Sequence, residues 1–378
     1  MRIVMAGGGT GGHLYPGLAV AEAVERRAEG GNLEIIWAAT PRAVDQRLLA
    51  KFGERYVRQP VKPLVLSLGK LWGFWRGWRE TCGYWERYFA ANRVDCVVAL
   101  GGYAAGPAAH VAAKRGIGVV LLNPDALPGR ANRFLLKRAD VVVTQWAFIG
   151  AGEDLARRVR ILGCPIRREL VGRPREDGAK RLGIEPGLQT LAITGASLGA
   201  KTINDAVVEL LEDSEVRRAF EAGGAWQIVH LSGMEQAAEV RAAYAQYPQV
   251  RGKVMDYCDD MASVWAVTDL AIARAGASTC AELTACGVPS ILLPYPFHRD
   301  MHQRANAMEL AKGGAAVIVD DAKDANANAA AIKSELKSLL YEETRRQAMA
   351  EAAKRMGKPD AADRIADEIF AVIARSSR

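Results

Sequence analysis

The sequence has no C-x-x-C pair and no run of about 18 apolar residues. The first absence argues against a zinc or dithiol motif, the second against a membrane-spanning helix. The six cysteines (Cys82, Cys96, Cys164, Cys258, Cys280 and Cys286) are scattered, and no histidine pair lies beside Cys280 and Cys286. A reduced, cytosolic set is expected rather than a disulfide framework. The opening segment, MRIVMAGGG, lacks the longer apolar core of a signal peptide. There is no short-period repeat and no low-complexity tract. Histidines are few, five in 378 residues. What is present is ordinary globular composition, half hydrophobic and a quarter charged, which excludes wholesale disorder. The length suggests two or three domains. A net charge of +7 suits anionic partners (phosphates, nucleic acid or an acidic membrane face) without choosing among them.

Apolar, β-branched runs alternate with helical patterns. Strands are expected at Arg2–Ala6, Glu34–Ala39, Asp95–Leu100, Gly118–Leu122 and Val141–Thr144, and a helix at Pro16–Ala28 opened by its proline. The stretch Gly163–Asp177, with two prolines and seven charges, reads as a linker. The pattern then restarts with a strand at Gln189–Thr194, a glycine turn at Gly195–Gly199 and a helix at Lys201–Glu212. Further strands follow at Gln227–His230, Leu270–Ala273 and Ser290–Leu293, and a last helix at Ala361–Ala374. Such alternation predicts an α/β protein with parallel sheets covered on both faces.

Gly7 to Gly12, followed by His13, lies between a strand and a helix. Glycines there let a ligand approach the backbone, and the helix presents its N-terminal N–H groups to an anion. Gly7, Gly9 and Gly12 match the dinucleotide pattern literally, but the acid expected at the end of the second strand is absent, which disfavours NAD. His13 sits beside the expected anion and is a candidate general base; a local helix-start contact is the competing reading. Gly101-Gly102-Tyr103 forms a second loop at a strand's carboxyl end, and Gly195–Gly199 with Ser197 a third. Two phosphate-friendly loops in two domains suggest two anionic ligands facing each other across a cleft.

In the second half, Ser278 or Thr279 is expected to cap a helix. Glu282 then either serves that cap or accepts from a ribose diol. His298 and His302 stand four apart without a convincing third ligand, so no metal is expected. Residues 62–93 hold four of the eight tryptophans (Trp72, Trp75, Trp78 and Trp85), and six basic side chains against two acidic. Tryptophans beside arginines on an amphipathic helix suit a lipid headgroup surface better than nucleic acid, and part of the stripe must pack on its own domain.

The segments GGGTGGHLYPGLAVAEAV, ALGGYAAGP, GCPIR, TGASLGA, YCDDM, ARAGASTCAEL and PYPFHRDMHQRANA occur in the order seen in the MurG family. Across roughly residues 2–316 the chain resembles these glycosyltransferases of family 28. The resemblance implies a GT-B fold, two Rossmann-like domains with parallel sheets facing across a cleft. It places an acceptor and membrane domain at 1–165, with a C-terminal helix at about 356–378 packing back on it, and a donor domain at 166–355. It implies an inverting hexosyltransferase that needs no cofactor or active-site metal. Such an enzyme moves GlcNAc from UDP-GlcNAc to the C4 hydroxyl of MurNAc in undecaprenyl-linked lipid I, forming lipid II for peptidoglycan. The expected place is the cytoplasmic face of the bacterial plasma membrane, on an anionic lipid surface, with other cell-wall synthesis proteins as partners and no nucleic acid.

Carried over, the resemblance assigns the donor to Thr10, Gly11, Gly12, Arg167, Ser197, Tyr257, Cys258, Ala277, Glu282, His302 and Gln303. Gly9, Thr10, His13, Gly102 and Tyr103 would hold the acceptor diphosphate. His13 would be the base, and Leu71, Trp72, Trp75, Trp78 and Trp85 would meet the membrane. One stretch departs from the family. A His-Glu-Gln-Asn run is replaced by Leu122-Asn123-Pro124-Asp125, which makes Asp125 a rival base and leaves acceptor choice open. A GT-B enzyme acting on diacylglycerol, a UDP-GlcNAc 2-epimerase and a non-catalytic binding protein are the alternatives.

Overall fold

Two parallel sheets carry the chain, each built from strands whose alternate residues enter opposite cores. The structure, a computed structural model, describes residues 1–64, 68–147, 152–196, 199–222, 226–297 and 300–376. The chain divides into two units, Met1–Arg167 with Asp360–Arg378, and Arg168–Pro359.

The first unit contains β1 (Arg2–Gly7), β2 (Glu34–Ala39), β3 (Tyr56–Arg58), β4 (Cys96–Gly101), β5 (Gly118–Asn123), β6 (Val141–Thr144) and β7 (Val159–Ile161). Their order is β3-β2-β1-β4-β5-β6-β7, all parallel. Ile3 and Met5 enter one apolar core with Cys96 and Val98, while Val4 and Ala6 enter the other with Val97 and Ala99. Period-2 alternation of apolar side chains with both faces covered is what makes these central strands read as continuous apolar runs. Sheet order reverses between β1 and β4, and Gly7 pairs with Gly101 there. The loops after these two strands therefore lie side by side, at the crevice where open α/β sheets bind ligands.

The helices of this unit include α1 (Gly11–Arg27), α2 (Ala43–Leu49), α3 (Leu68–Ala91), α4 (Gly106–Lys114) and α5 (Arg130–Leu136). The first differs from the expectation that Pro16 opens it. α1 begins at Gly11, and Pro16 lies inside it. Thr10 is the N-cap, and its carbonyl accepts from His13 and Leu14, closing the first turn before the proline is reached. The last helix, Ala361–Ser376, packs on α1 through Ile365, Ile369 and Val372, all buried in the core that holds Ile3. Each such side chain contributes about 1.5–3 kcal/mol by leaving water. The Arg26–Asp363 and Arg27–Asp367 pairs at its rim, both 2.9 Å, are exposed and add little.

α3 corrects part of the aromatic reading. Gly77, Thr81, Trp85 and Phe89 recur every four residues along its buried face. Trp85 is 0% exposed and donates its indole N–H to Gln59 Oε1 at 3.0 Å, so it is core and cannot meet a membrane. Trp78 is half-buried against Phe134, with ring centroids 5.6 Å apart, and against the edge of Gly106, where a Cβ would fall 2.7 Å from its ring. Only Trp72 and Trp75 are open, 68% and 56% exposed, with Leu71 half-buried beside them.

The second unit contains β8 (Gln189–Thr194), β9 (Trp226–Leu231), β10 (Arg251–Met255), β11 (Leu270–Ala273), β12 (Ser290–Leu292) and β13 (Ala316–Ile318), ordered β10-β9-β8-β11-β12-β13 and parallel throughout. Its reversal point falls between β8 and β11. Both units thus have the doubly wound, Rossmann-like form. The segment expected to be a linker carries a short strand, β7, just before it and a helix, Arg175–Leu182, at its end.

Candidate functional site

In the first unit the site grows from the β1–α1 loop. Gly8 has φ +154° and Gly9 φ +87°, and a Cβ at Gly8 would fall 2.4 Å from Asp45 Oδ2. The fully buried Asp45 carboxylate accepts from Gly9 N at 2.8 Å, Thr40 N at 2.8 Å and Thr40 Oγ1 at 2.6 Å. These bonds turn the Gly9 N–H inward and fix the loop. Gly11 and Gly12, as the first residues of a 17-residue helix, leave their N–H groups without intrahelical partners.

His13 is the third residue of α1. Its Nδ1 lies 3.2 Å from the Gly8 carbonyl and 3.1 Å from Thr10 Oγ1. A carbonyl can only accept, so Nδ1 carries the proton and Nε2 keeps its lone pair. The ring rests on the Gly101–Gly102 backbone, where φ is +96° and +72°. A Cβ at Gly102 would lie 2.8 Å from its Cε1 and one at Gly101 3.3 Å from its Cδ2. Two glycines are therefore required for the imidazole to sit there. Desolvation holds its pKa below the ordinary histidine value, opposed by the Gly8 carbonyl and by the negative charges of Asp125 and Asp45. A depressed pKa keeps the ring neutral, the form a base needs.

Asp125 is half-buried and close enough for its charge to be felt at His13. Its backbone is held by Asn123 Nδ2, which donates to the Asp125 carbonyl at 2.9 Å, and Asn132 Nδ2 donates to Asn123 Oδ1 at 2.9 Å. The sequence-expected loops, His13 and Asp125 thus come together in one unit. Tyr103 lines the same place, its hydroxyl 3.4 Å from where a Gly9 Cβ would be. Arg167, expected with the donor domain, belongs to this first unit, its guanidinium carbon 5.2 Å from the Tyr15 ring centre on α1. The chain crosses to the second unit two residues later than expected, which leaves Arg167 in the first unit against Tyr15.

In the second unit the loop after β8 is tightly built. A Cβ at Gly195 would fall 2.1 Å from Ala200 N, one at Gly199 2.1 Å from the Ser232 carbonyl, and Ala196 takes φ +67°. A non-glycine held in the left-handed region marks strain of the kind found at ligand-binding turns. Ser197 lies outside the described residues, as does His298. After β11 comes a turn whose Gly276 is the N-cap of the helix Ala277–Cys286, with no side-chain cap. Ser278 and Thr279 are therefore inside the first turn and do not cap it. Glu282 is the sixth residue of that helix, beyond the first turn, and accepts from Trp265 Nε1 at 2.8 Å. Its capping role is thus excluded.

Tyr257 and Cys258 are half-buried in the loop after β10. His302 opens the helix His302–Lys312, and its Nδ1 is 2.8 Å from Asp300 Oδ1. Gln303 Oε1 accepts from Tyr295 N at 2.9 Å, and buried Asn306 donates to the Ala275 carbonyl at 3.0 Å. Among the described residues, no group of three or more histidine, cysteine or acidic side chains could hold a metal ion.

Sequence reasoning missed the buried brace beneath these loops. Arg274, at the end of β11, donates to Asp321 Oδ2 at 2.7 Å, to the Leu293 carbonyl at 2.9 Å and to Thr202 Oγ1 at 2.6 Å. Asp321 also accepts from Asn328 Nδ2 and Lys323 N. The loops after β11, β12 and β13 and the first turns of the helices Lys201–Glu212 and Ala325–Tyr341 are tied to this one pair. Asp45 was missed for a similar reason, since a lone aspartate in a helical stretch gives no sign that it will fold under a glycine loop.

The sequence profile of the glycosyltransferase family 28 N-terminal domain matches residues 3–144, and that of the family's C-terminal domain matches residues 190–365. A Halothermothrix orenii protein named UDP-N-acetylglucosamine--N-acetylmuramyl-(pentapeptide) pyrophosphoryl-undecaprenol N-acetylglucosamine transferase is 32% identical over 376 residues, 95% of each chain. The crystal structure of Acinetobacter baumannii MurG matches with a TM-score of 0.73 and 27% identity, covering 98% of this chain and 99% of that one. A UDP-GlcNAc 2-epimerase from Neisseria meningitidis matches with a TM-score of 0.63 over 98% of this chain and 100% of that one, at 13% identity, a likeness of fold alone.

Proposed function

The chain belongs to glycosyltransferase family 28, and on that premise we propose that it moves GlcNAc from UDP-GlcNAc to the C4 hydroxyl of MurNAc in undecaprenyl-linked lipid I, giving lipid II. It is a hexosyltransferase of the GT-B fold. The observation that carries the reading is the His13 imidazole, neutral, seated on two glycines, with Nδ1 committed to Gly8 and Nε2 left as a base.

In this reading Nε2 takes the C4 hydroxyl proton as that oxygen bonds to C1 of GlcNAc. The bond from C1 to the β-phosphate oxygen breaks, and UDP leaves with the electron pair. Attack opposite the leaving group inverts C1. The first-unit loop holds the acceptor diphosphate, with Gly9, Thr10 and Tyr103 around it, and the start of α1 supplies N–H groups of Gly11 and Gly12 toward charge. Glu282, fixed by Trp265, accepts from the ribose diol, and Gln303 and His302 face the sugar. The loop of Gly195–Gly199 and Arg167 stabilise the growing charge on UDP. Transfer of radiolabelled GlcNAc from UDP-GlcNAc to a soluble lipid I analogue tests this. Labelled product is expected, and labelling of a diacylglycerol control instead would replace the acceptor.

The membrane-facing part of the chain is narrower in this proposal than the tryptophan count suggests. No helix among the described residues is long and apolar enough to cross a membrane. Trp72 and Trp75 stand open on α3, with Arg76 5.6 Å from the Trp72 ring centre and Arg79 exposed on the next turn. An apolar, basic surface of this kind fits the cytoplasmic face of an anionic bilayer. Replacing Trp72 and Trp75 together by serine is expected to lower cosedimentation with anionic liposomes about tenfold, with transfer to a soluble acceptor unchanged. Replacing Trp85 instead should cost stability. Unchanged sedimentation of the double variant would remove the membrane assignment.

A further inference from the structure

α2 grips the glycine loop with two side chains of opposite charge, and only one of them has its hydrogen-bonding capacity filled. Asp45 takes the Gly9 N–H and is saturated by Thr40. Arg42, the N-cap residue of α2, takes the other side of the same peptide, Nη1 donating to the Gly9 carbonyl at 3.1 Å. Its guanidinium carbon stands 5.7 Å from the Tyr103 ring centre, so the charge bridges the two glycine loops at the switch point of the first sheet. Arg42 is exposed and is paired with no carboxylate among the described residues. One of its five N–H donors is used by Gly9, and the rest are open to a partner.

We propose that Arg42 binds the diphosphate of the acceptor, joining the N–H groups of the β1–α1 loop around one anion. The inference rests on the acceptor reading above and adds a residue to it. A guanidinium is suited to the task because its planar fork meets two phosphate oxygens at once. The arrangement also separates two jobs. Asp45 shapes the loop from beneath and touches no ligand, while Arg42 braces the loop with one N–H and offers its charge outward with the others.

The test compares Arg42→Gln, Arg42→Lys and Arg42→Ala. Glutamine keeps an N–H donor on a shorter side chain and has no charge, while lysine keeps the charge, so the set varies charge and hydrogen bonding separately. Inorganic pyrophosphate binding, measured with UDP saturating so that the donor site is occupied, is expected to weaken about tenfold or more in Arg42→Gln and Arg42→Ala, and less in Arg42→Lys. The KM for a soluble lipid I analogue should rise by a similar factor, with the KM for UDP-GlcNAc unchanged. Pyrophosphate binding kept in Arg42→Gln and lost only in Arg42→Ala would overturn the proposal in favour of a brace. A rise in the UDP-GlcNAc KM alone would overturn it in favour of the donor. Charge-dependent pyrophosphate binding in a protein that transfers nothing to lipid I would uphold the anion site while overturning the acceptor reading.

Discussion

His13→Ala is expected to lower kcat for GlcNAc transfer by about 10²–10⁴, the range supplied by a positioned general base. UDP-GlcNAc binding should be unchanged, because the ring packs on the Gly101 and Gly102 backbone within the first unit, beside the loop proposed to hold the acceptor. Isothermal titration alongside single-turnover kinetics checks both halves. Equal loss of binding and rate would reject the base. The pH profile supplies a further sign. The base must be neutral, so the rate falls as pH drops through the folded pKa of His13, which desolvation holds below the ordinary value of about 6.5. Asp125 opposes that shift by its charge. Asp125→Asn should therefore move the acid limb to still lower pH while leaving most of the rate. If the rate collapses instead and His13→Ala is mild, Asp125 is the base.

The second large effect is on stability. Asp321→Ala leaves Arg274 charged among buried carbonyls, its side chain 6% exposed and that of Asp321 0%. Removing one member of a buried pair costs about 3–5 kcal/mol. For a unit of this size that lowers the melting temperature by roughly 10 °C, which scanning calorimetry would resolve. The KM for UDP-GlcNAc should rise too, since Arg274 directly precedes the turn that Asn306 ties through the Ala275 carbonyl. Adding Arg274→Met should recover part of the stability by removing the stranded charge. No recovery would mean that the pair is not the source of the loss. Burial works to raise the Asp321 carboxyl, but hydrogen bonds from Thr202, Asn328 and Arg274 outweigh it and hold the group below the usual carboxylate range. The pair's contribution is thus full above about pH 4 and is lost as pH falls through the lowered folded value.

What could be read without the structure follows the range of the forces involved. β6, β8 and β11 lie where their apolar runs predict, because central strands buried on both faces carry their whole environment in their own composition. The glycine loops were legible for a similar reason, as the backbone geometry they need is a property of glycine itself. β3, β7, β10 and β13 went unread. All four are edge strands, short and partly exposed, and only a neighbouring strand makes them strands. The four tryptophans of α3 were visible as a cluster, but which of them face a core depended on Gln59 and Gly106, distant in sequence. Asp45 under Gly9 and Asp321 under Arg274 join residues 36 and 47 positions apart. The sequence by itself thus determined two doubly wound sheets, their ligand loops and the histidine beside one of them. Tertiary structure alone decided which acids brace those loops and which aromatics remain outside. Burial and long-range pairing arise only when the chain has closed on itself.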